Sequence, residues 1–257
     1  MTVFCIVNQK GGVGKTTTAA ALAQGLSEHN KKVLLIDWDS QASLTITMGF
    51  DPDSLESTGY DALASIMGGN SVLAHDVILQ TPDSNIDLIP ANIELAQAQL
   101  DLVGLVNREL LLKEMIQPVR EFYDFILLDC QPTLGLLTIN ALAAADGVII
   151  PLQAEFLAMK GLALLLNTII RVKDNLNPAL EISGILFTMT SSRTLHCKDV
   201  IEITRKAFGD RIRVFDALIP STVRFKEAPA AGQSILTYAA NSAGANAYRL
   251  FTEEVMK

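Results

Sequence analysis

The feature that most constrains the fold is a regular alternation of short apolar runs with helix-length segments. The apolar runs are rich in Val, Ile, Leu and Phe, and none shows the strict period of two of a half-exposed strand. This composition is typical of strands that are covered on both faces. The predicted strands are 2–7, 33–37, 86–90, 124–129, 146–151, 182–188 and 213–218. The predicted helices are 15–28, 92–103, 107–120, 135–144, 157–174, 196–208 and 242–256.

This alternation predicts an α/β fold with a doubly wound, mainly parallel sheet and helices on both faces. The length of 257 residues suits one large domain, 1–257, better than two independent ones. About half of the residues are apolar, which excludes global disorder. The least regular stretch, 51–85, is expected to form surface loops around a short helix. Ligands of such sheets bind at the carboxyl ends of the strands.

The cysteines and the hydropathy pattern indicate a protein of the reducing cytoplasm. Cys5, Cys130 and Cys197 are widely spaced and show neither a disulfide framework nor a metal-binding pattern. We expect Cys130 to be an inert core thiol. No run of 18 apolar residues occurs, so no membrane-spanning segment is expected. The first apolar run, 3–7, has the length of a strand rather than of a leader.

A glycine-rich segment lies between the first predicted strand and the first predicted helix. It reads Lys10-Gly11-Gly12-Val13-Gly14-Lys15-Thr16-Thr17. Glycines allow the backbone N–H groups and the helix N-terminus to face a phosphate. Lys15 is expected to reach the β- and γ-phosphates, and the Thr16 hydroxyl to ligate Mg²⁺. The alternative is a glycine-rich turn with chance lysines. Gln9 stands where the ordinary P-loop pattern has a glycine.

Two other predicted strands end in carboxylates. Asp37 and Asp39 follow one apolar run, and Asp129 follows another. P-loop proteins place a carboxylate on the Mg²⁺ side of the site in this way. The alternative for each residue is a solvated loop aspartate.

The basic residues are concentrated in one window, 193–226. This window carries a net charge of +4, whereas the remainder carries −12 and the whole chain −8. A basic face on an acidic body suits DNA held through its phosphates. No segment has the character of a base-reading helix, so we expect binding without sequence specificity. The alternative is an ordinary solvated helix surface.

Together these segments resemble the ParA/Soj family of ATPases. KGGVGKTT, LLIDWDSQ and FILLDCQPTLGLLTINAL resemble its deviant Walker A, A′ and B elements, and ADGVIIPLQAE, GILFTMTSSRT and IPSTVRFKEAPAAGQSI continue the match in order. The resemblance implies an ATPase that uses ATP and Mg²⁺ and forms a sandwich homodimer on ATP. The dimer would bind non-specific double-stranded DNA, and a ParB-like partner would stimulate hydrolysis and release. The function implied is chromosome or plasmid segregation by a cytoplasmic, nucleoid-associated protein.

The resemblance also implies roles for individual residues. Lys10 matches the lysine that crosses the dimer interface, Lys15 matches the phosphate lysine, and Asp39 matches the carboxylate that orients attacking water. The metal-side residues are Thr16, Asp37 and Asp129. The nucleotide contacts are Lys10, Gly11, Gly12, Val13, Gly14, Lys15, Thr16 and Thr17, with Pro220 and Thr222 in a base-contact region. The DNA-binding candidates are Arg193 and Arg224, which align with arginines linked to DNA binding, and Lys198, Arg205, Lys206 and Lys226.

The chain departs from the family pattern at a few positions. Ser40 and Gln131 each stand where the family has a proline, so the fixed φ of proline is lost at both places. Thr222 stands where the family often has Asn. Trp38, beside the catalytic carboxylate, is expected either to respond to the nucleotide state or simply to pack against a neighbouring helix.

Other functions remain open on the same scaffold. A MinD-like membrane-cycling ATPase needs a basic C-terminal amphipathic helix, and 249–257 carries two acids and two bases. A nitrogenase-type reductase needs paired cysteines, and no such pair is visible in the spacing; a ligase-like synthetase is a further metabolic alternative. A ParA-like ATPase that positions a protein cargo over the nucleoid has the same motifs. The absence of a helix-turn-helix extension predicts the short, chromosomal Soj type.

Overall fold

The computed structural model describes residues 1–68, 73–155, 158–191, 195–209 and 211–257, without the side chains at 158–160 and 196. The strands are β1 (Thr2–Ile6), β2 (Val33–Trp38), β3 (Leu79–Gln80), β4 (Ile86–Ile89), β5 (Phe125–Cys130), β6 (Gly147–Gln153), β7 (Glu181–Thr190) and β8 (Val214–Pro220). The helices are α1 (Lys15–Glu28), α2 (Ser43–Thr47), α3 (Gly59–Gly68), α4 (Leu95–Asp101), α5 (Leu111–Ile116), α6 (Leu136–Ala144), α7 (Ala158–Asn175), α8 (Leu195–Phe208), α9 (Arg224–Ala230), α10 (Ile235–Tyr238) and α11 (Ala243–Val255).

The eight strands form one sheet in the order β3-β4-β2-β5-β1-β6-β7-β8. All neighbours are parallel except β3, which runs antiparallel to β4. Helices α1, α2 and α9–α11 pack on one face and α3–α8 on the other, each over its own apolar cluster. The predicted α/β fold with helices on both faces is therefore confirmed.

The seven predicted strands are found within two residues of their expected bounds. The outer strand β8 alternates between buried and exposed residues because it lies at the edge of the sheet. Strand β3 was not predicted; it has only two residues, too few for a recognisable pattern.

Two predicted helices are shorter than expected. The segment 92–103 forms α4 followed by a 3₁₀ turn, and 107–120 contains α5 and the first residue of a second 3₁₀ turn. Helix α5 ends at Ile116 because Pro118 restricts the residue before it and offers no N–H. Helices α2, α9 and α10 were not predicted, and α3 is the short helix expected within 51–85. The predicted start of α7, residue 157, lies outside the described residues. No helix in the described ranges is long and apolar enough to cross a membrane.

The carboxylate of Asp83 joins α1 to the turn between β3 and β4. It accepts hydrogen bonds from the Gln24 side chain at 2.7 Å, the Ser27 hydroxyl at 2.8 Å and the Asn85 backbone N–H at 3.0 Å. Burial raises the pKa of Asp83, but the hydrogen bonds from Asn85, Ser27 and Gln24 outweigh it, so the pKa lies below its usual value. The charged form is therefore the one that the fold stabilises.

Replacing Asp83 with alanine is expected to lower the free energy of unfolding by about 1–2 kcal/mol at neutral pH, since several hydrogen bonds to one charged group are lost. Because folding depresses the pKa, this contribution is complete above the unfolded pKa of about 4 and disappears as pH falls through the lower folded value. Urea unfolding from pH 7 to pH 3 measures it. The control is Asp174→Ala, an exposed carboxylate on α7. A difference that stays constant down to pH 3 would contradict the role.

Candidate functional site

The glycine-rich loop leads from the end of β1 into α1, as predicted. Gly12 and Gly14 have φ of 72° and 90°, a left-handed conformation that other residues adopt only with strain. The first turn of α1 contains no acidic residue. Its free N–H groups and the positive end of the helix dipole therefore form a site suited to an anion such as phosphate.

Neighbouring strands hold this loop in place. The Asn8 side chain donates to the Pro151 carbonyl at 2.7 Å, which joins the start of the loop to β6. The Thr188 hydroxyl donates to the Val13 carbonyl at 2.8 Å, which joins its centre to β7. The loop is thus positioned by the carboxyl ends of β6 and β7, and none of these contacts could be read from the motif alone.

Lys15 points into the protein from the first turn of α1. Its residue is 7% exposed, and its ammonium lies 3.4 Å from the Lys10 carbonyl oxygen. Burial lowers the pKa of Lys15, while the nearby Asp129, Cys130 and Asp39 act in the opposite direction. A buried cation beside a phosphate-type loop is suited to a polyanion.

Among the three carboxylates of the site, that of Asp129 has the fewest hydrogen-bond partners in the described residues. It lies at the end of β5, is 1% exposed, and neither carboxylate oxygen has a well-aligned hydrogen-bond partner within the described part of the chain. Burial and the neighbouring Asp37 raise its pKa, whereas the Thr16 hydroxyl and Lys15 lower it. An unpartnered carboxylate close to a threonine hydroxyl offers the oxygen ligands that Mg²⁺ prefers. The residues present therefore fit this metal.

Asp37 is paired with Asp129 in the register of β2 and β5, but its oxygens are already occupied. One accepts the backbone N–H and the hydroxyl of Thr45, both at 2.8 Å, and the other accepts the Asp39 N–H at 3.3 Å. Burial raises the pKa of Asp37 despite these bonds from Thr45. Asp37 thus anchors α2 to the end of β2, a function that the strand-end pattern did not indicate. Its metal-side role stays a prediction.

Asp39 lies just beyond β2 and is partly exposed. Its carboxylate accepts the Gln41 backbone N–H at 3.1 Å, and this is its one side-chain hydrogen bond among the residues described. This geometry suits a group that acts on water. The structure therefore separates the three carboxylates into one unpartnered, one anchored and one accessible group.

Known proteins resemble this chain over nearly its full length. A family model described as an AAA domain matches residues 1–182. The sporulation initiation inhibitor protein Soj of Bacillus subtilis is 43% identical over 98% of this chain and 97% of its own length. The chromosome-partitioning ATPase Soj of Treponema pallidum is 45% identical over 97% and 95%. The chain belongs to the ParA/Soj family.

Two solved structures share the ParA/Soj fold. Cobyrinic acid a,c-diamide synthase from Mycobacterium smegmatis, with bound ADP and magnesium, has a TM-score of 0.85 and 37% identity, covering 98% of this chain and 93% of its own. A putative plasmid partition protein from Borrelia burgdorferi bound to AMPPNP has a TM-score of 0.80 and 27% identity, covering 99% and 98%.

The two residues predicted to contact the nucleotide base in this ParA/Soj chain lie at and just beyond the end of β8. Pro220 is paired with Thr190, and both line a cavity of about 610 Å³ together with Lys198. Thr222 follows β8, outside this cavity, and its hydroxyl accepts the Arg224 N–H at 3.4 Å. Both base-contact assignments stay predictions.

The DNA-binding candidates of this ParA/Soj chain lie mainly on α8 and α9, with exposed side chains. Three of them form ion pairs within the chain. The pairs are Arg205–Asp216 at 3.1 Å, Lys206–Glu202 at 2.6 Å and Arg224–Glu227 at 2.9 Å. Lys198 and Lys226 have no ion pair among the residues described. Arg193 lies outside the described residues. The free positive charge is therefore smaller than the count of basic residues suggests.

The departures from the ParA/Soj pattern have different surroundings. Trp38 is fully buried and its indole N–H donates to the Leu137 carbonyl in α6 at 3.0 Å, so it packs against a neighbouring helix; a response to the nucleotide state stays a prediction. Gln131 is 5% exposed, and its side-chain nitrogen has no partner in the described part of the chain. Its oxygen lies 3.5 Å from the Gln99 nitrogen, a long contact between the segment after Asp129 and α4.

Sequence spacing also missed a pair of cysteines. The sulfur atoms of Cys5 and Cys130 lie 3.3 Å apart in the core, because β1 and β5 are neighbours. The contact with Cys5 and burial raise the pKa of Cys130 well above its usual value. Both are free thiols and buried, which agrees with the expected inert core thiol.

Proposed function

We propose that this single-domain chain is a Mg²⁺-dependent ATPase of chromosome or plasmid segregation. Its ATP-bound sandwich dimer binds non-specific double-stranded DNA, and a ParB-like partner stimulates hydrolysis and release, so the protein is nucleoid-associated in the cytoplasm. The observation that carries the ATPase assignment is the unpartnered Asp129 carboxylate beside Thr16 and the phosphate-type loop. The segregation assignment is supported by the chromosome-partitioning relatives.

Different residues of the site are assigned to phosphate binding, metal binding and orientation of the attacking water. The backbone of 11–17 and the Lys15 side chain bind the phosphates. Thr16 and Asp129 hold Mg²⁺, and Asp37 lies beside Asp129 on the metal side of the site. When bound, Mg²⁺ neutralises charge that develops on the phosphates. Asp39 orients the attacking water, which agrees with its partial exposure and with its one hydrogen bond in the described ranges.

Lys10 is assigned to the second subunit's nucleotide. It belongs to the glycine-rich loop, but its side chain is 44% exposed and its ammonium contacts 153–155 rather than the interior of its own loop. An exposed cation at the surface of the site is suited to act across an interface, whereas the buried Lys15 is not. The proposal therefore gives the two lysines different functions.

DNA affinity should depend on ATP, because an ATP-bound dimer presents two copies of the weakly basic window 193–226 to DNA. The window 193–226 carries only four net charges, and several of its basic residues are ion-paired. Two copies acting together provide more phosphate contacts and release more counterions. Nucleotide-controlled dimerisation is thus a physical means of controlling DNA binding.

The test measures DNA affinity over a salt series with ATP or ADP and with several DNA sequences. Arg224→Ala and Lys226→Ala are each expected to weaken binding to all sequences alike and to flatten the slope of log affinity against log salt by about 2, since a dimer loses two side chains. Lys173→Ala, which changes an exposed lysine of α7 outside the basic window, is the control. Equal DNA binding in ADP and ATP, or full affinity in both variants, would contradict the proposal.

Two other functions can be separated from this one. The 37% identity to the cobyrinic acid a,c-diamide synthase favours a ligase-type reaction as second candidate. ATP hydrolysis that requires cobyrinic acid and a nitrogen donor, and that does not respond to DNA, would support it. Positioning of a protein cargo uses the same ATPase and DNA cycle, so the partner recovered by pull-down distinguishes it from segregation.

A further inference from the structure

The Lys10 ammonium is held by two oxygens of its own chain. It lies 2.6 Å from the Gln153 side-chain oxygen and 2.7 Å from a Glu155 carboxylate oxygen. Gln153 is the last residue of β6, and the Glu155 N–H donates to the Gln153 carbonyl at 2.8 Å. This tight turn brings the two side chains to the same side of the ammonium.

The backbone of Lys10 is fixed to the same strand. Its N–H donates to the Asn8 side-chain oxygen at 3.0 Å, and the Asn8 nitrogen donates to the Pro151 carbonyl of β6. Both ends of the lysine are therefore held at the carboxyl end of β6. A long side chain on a surface loop has many rotamers, so the paired position is specified by these contacts.

We propose that Glu155 is a positioning residue that holds Lys10 in a resting position while the chain has no nucleotide. The proposal rests on the proposed ATP-dependent dimer, in which Lys10 reaches the partner's phosphates. The ammonium cannot occupy both places, so each subunit must break its Lys10–Glu155 pair to dimerise. A triphosphate carries several negative charges against the single charge of Glu155, and it can therefore compete for Lys10.

The expected effect is moderate because the pair is open to solvent. The side chains of Lys10 and Glu155 are 44% and 55% exposed. An exposed ion pair changes an equilibrium by about 1.4- to 5-fold. A dimer breaks two pairs, so the combined effect on dimerisation is about 2- to 30-fold. Glu155 thus sets a threshold for dimerisation rather than preventing it.

The first measurement is the protein concentration at half-dimerisation with ATP, by light scattering. Glu155→Gln removes the charge and retains the shape, and it is expected to lower this concentration by about 2- to 30-fold. The control is Glu28→Gln, which removes the same charge from another exposed ion pair, with Arg249 at 2.7 Å. An unchanged or higher half-dimerisation concentration in Glu155→Gln overturns the proposal. A higher value would mean that Glu155 supports Lys10 within the dimer.

The second measurement requires no dimer. The nucleotide-free protein is treated with an amine-acetylating reagent, and modification of Lys10 is compared with that of Lys257 by mass spectrometry. Glu155→Gln is expected to raise the Lys10 rate by about 1.4- to 5-fold, and an unchanged rate overturns the resting contact. Failure of the wild-type protein to dimerise on ATP would contradict the proposed function, whereas the labelling result decides the Lys10–Glu155 contact independently.

Discussion

Replacing Asp39 with alanine is expected to slow ATP hydrolysis by about 100-fold or more while ATP binding remains, because orientation of the attacking water acts on the chemical step. The variant should accumulate as an ATP-bound dimer on DNA. The structure supports this separation, since Asp39 is partly exposed and its only described side-chain hydrogen bond comes from the Gln41 N–H. Single-turnover hydrolysis and nucleotide titration on the same sample measure the two properties.

The control for Asp39→Ala is Asp53→Ala, an exposed aspartate close in the chain that leaves the strand end intact. It should hydrolyse ATP as the wild-type protein does. Wild-type turnover in Asp39→Ala would refute the role, and Asp37 would become the next candidate. Replacing Asp37 with alanine would also remove the Thr45 contacts that anchor α2, so this variant should lose stability as well as catalysis.

Alanine substitution of the two lysines of the glycine-rich loop is expected to impair different steps. Lys15→Ala removes a buried cation from a charged site, and such a loss costs about 2–5 kcal/mol of binding free energy, or at least about 30-fold in ATP affinity. Lys10→Ala should bind ATP normally yet fail to dimerise and hydrolyse, because its ammonium acts on the other subunit. Calorimetric titration measures binding, and light scattering measures dimerisation.

Lys173→Ala, an exposed lysine on α7, is the control for both lysine variants and should bind and dimerise normally. An ATP-dependent dimer of Lys10→Ala would refute the cross-subunit assignment. Unchanged ATP affinity in Lys15→Ala would refute phosphate binding by the buried lysine. The two outcomes are independent, because one concerns the subunit's own nucleotide and the other its partner's.

The strand ends were predictable from the sequence, whereas the state of each carboxylate was not. Asp37 and Asp129 each follow an apolar run, and parallel strands bring such ends together. Their difference comes from Thr45, eight residues beyond Asp37, which bonds one of them and leaves the other unpartnered. Contacts of this kind depend on the path of α2 and have no periodic signal.

The helices and the basic window were also predicted in part from the sequence, and the remainder depended on tertiary contacts. The segment after the glycine-rich loop was predicted as a helix and forms α1 despite Gly25, whereas the prediction overextended α5, where Pro118 ends the helix. Charge counting located the basic window, yet the Arg205–Asp216 pair joins α8 to β8 and is a tertiary contact. Composition therefore predicted where charge is concentrated, and packing determined how much of it is free.

The buried indole of Trp38 has a practical consequence. The chain contains one tryptophan, so its intrinsic emission reports from a single point, between the end of β2 and the first turn of α6. Helix α6 follows directly on the segment after Asp129. If that segment shifts when a ligand binds, the polarity around the indole should change, and the emission of the wild-type protein would report the movement without any added label.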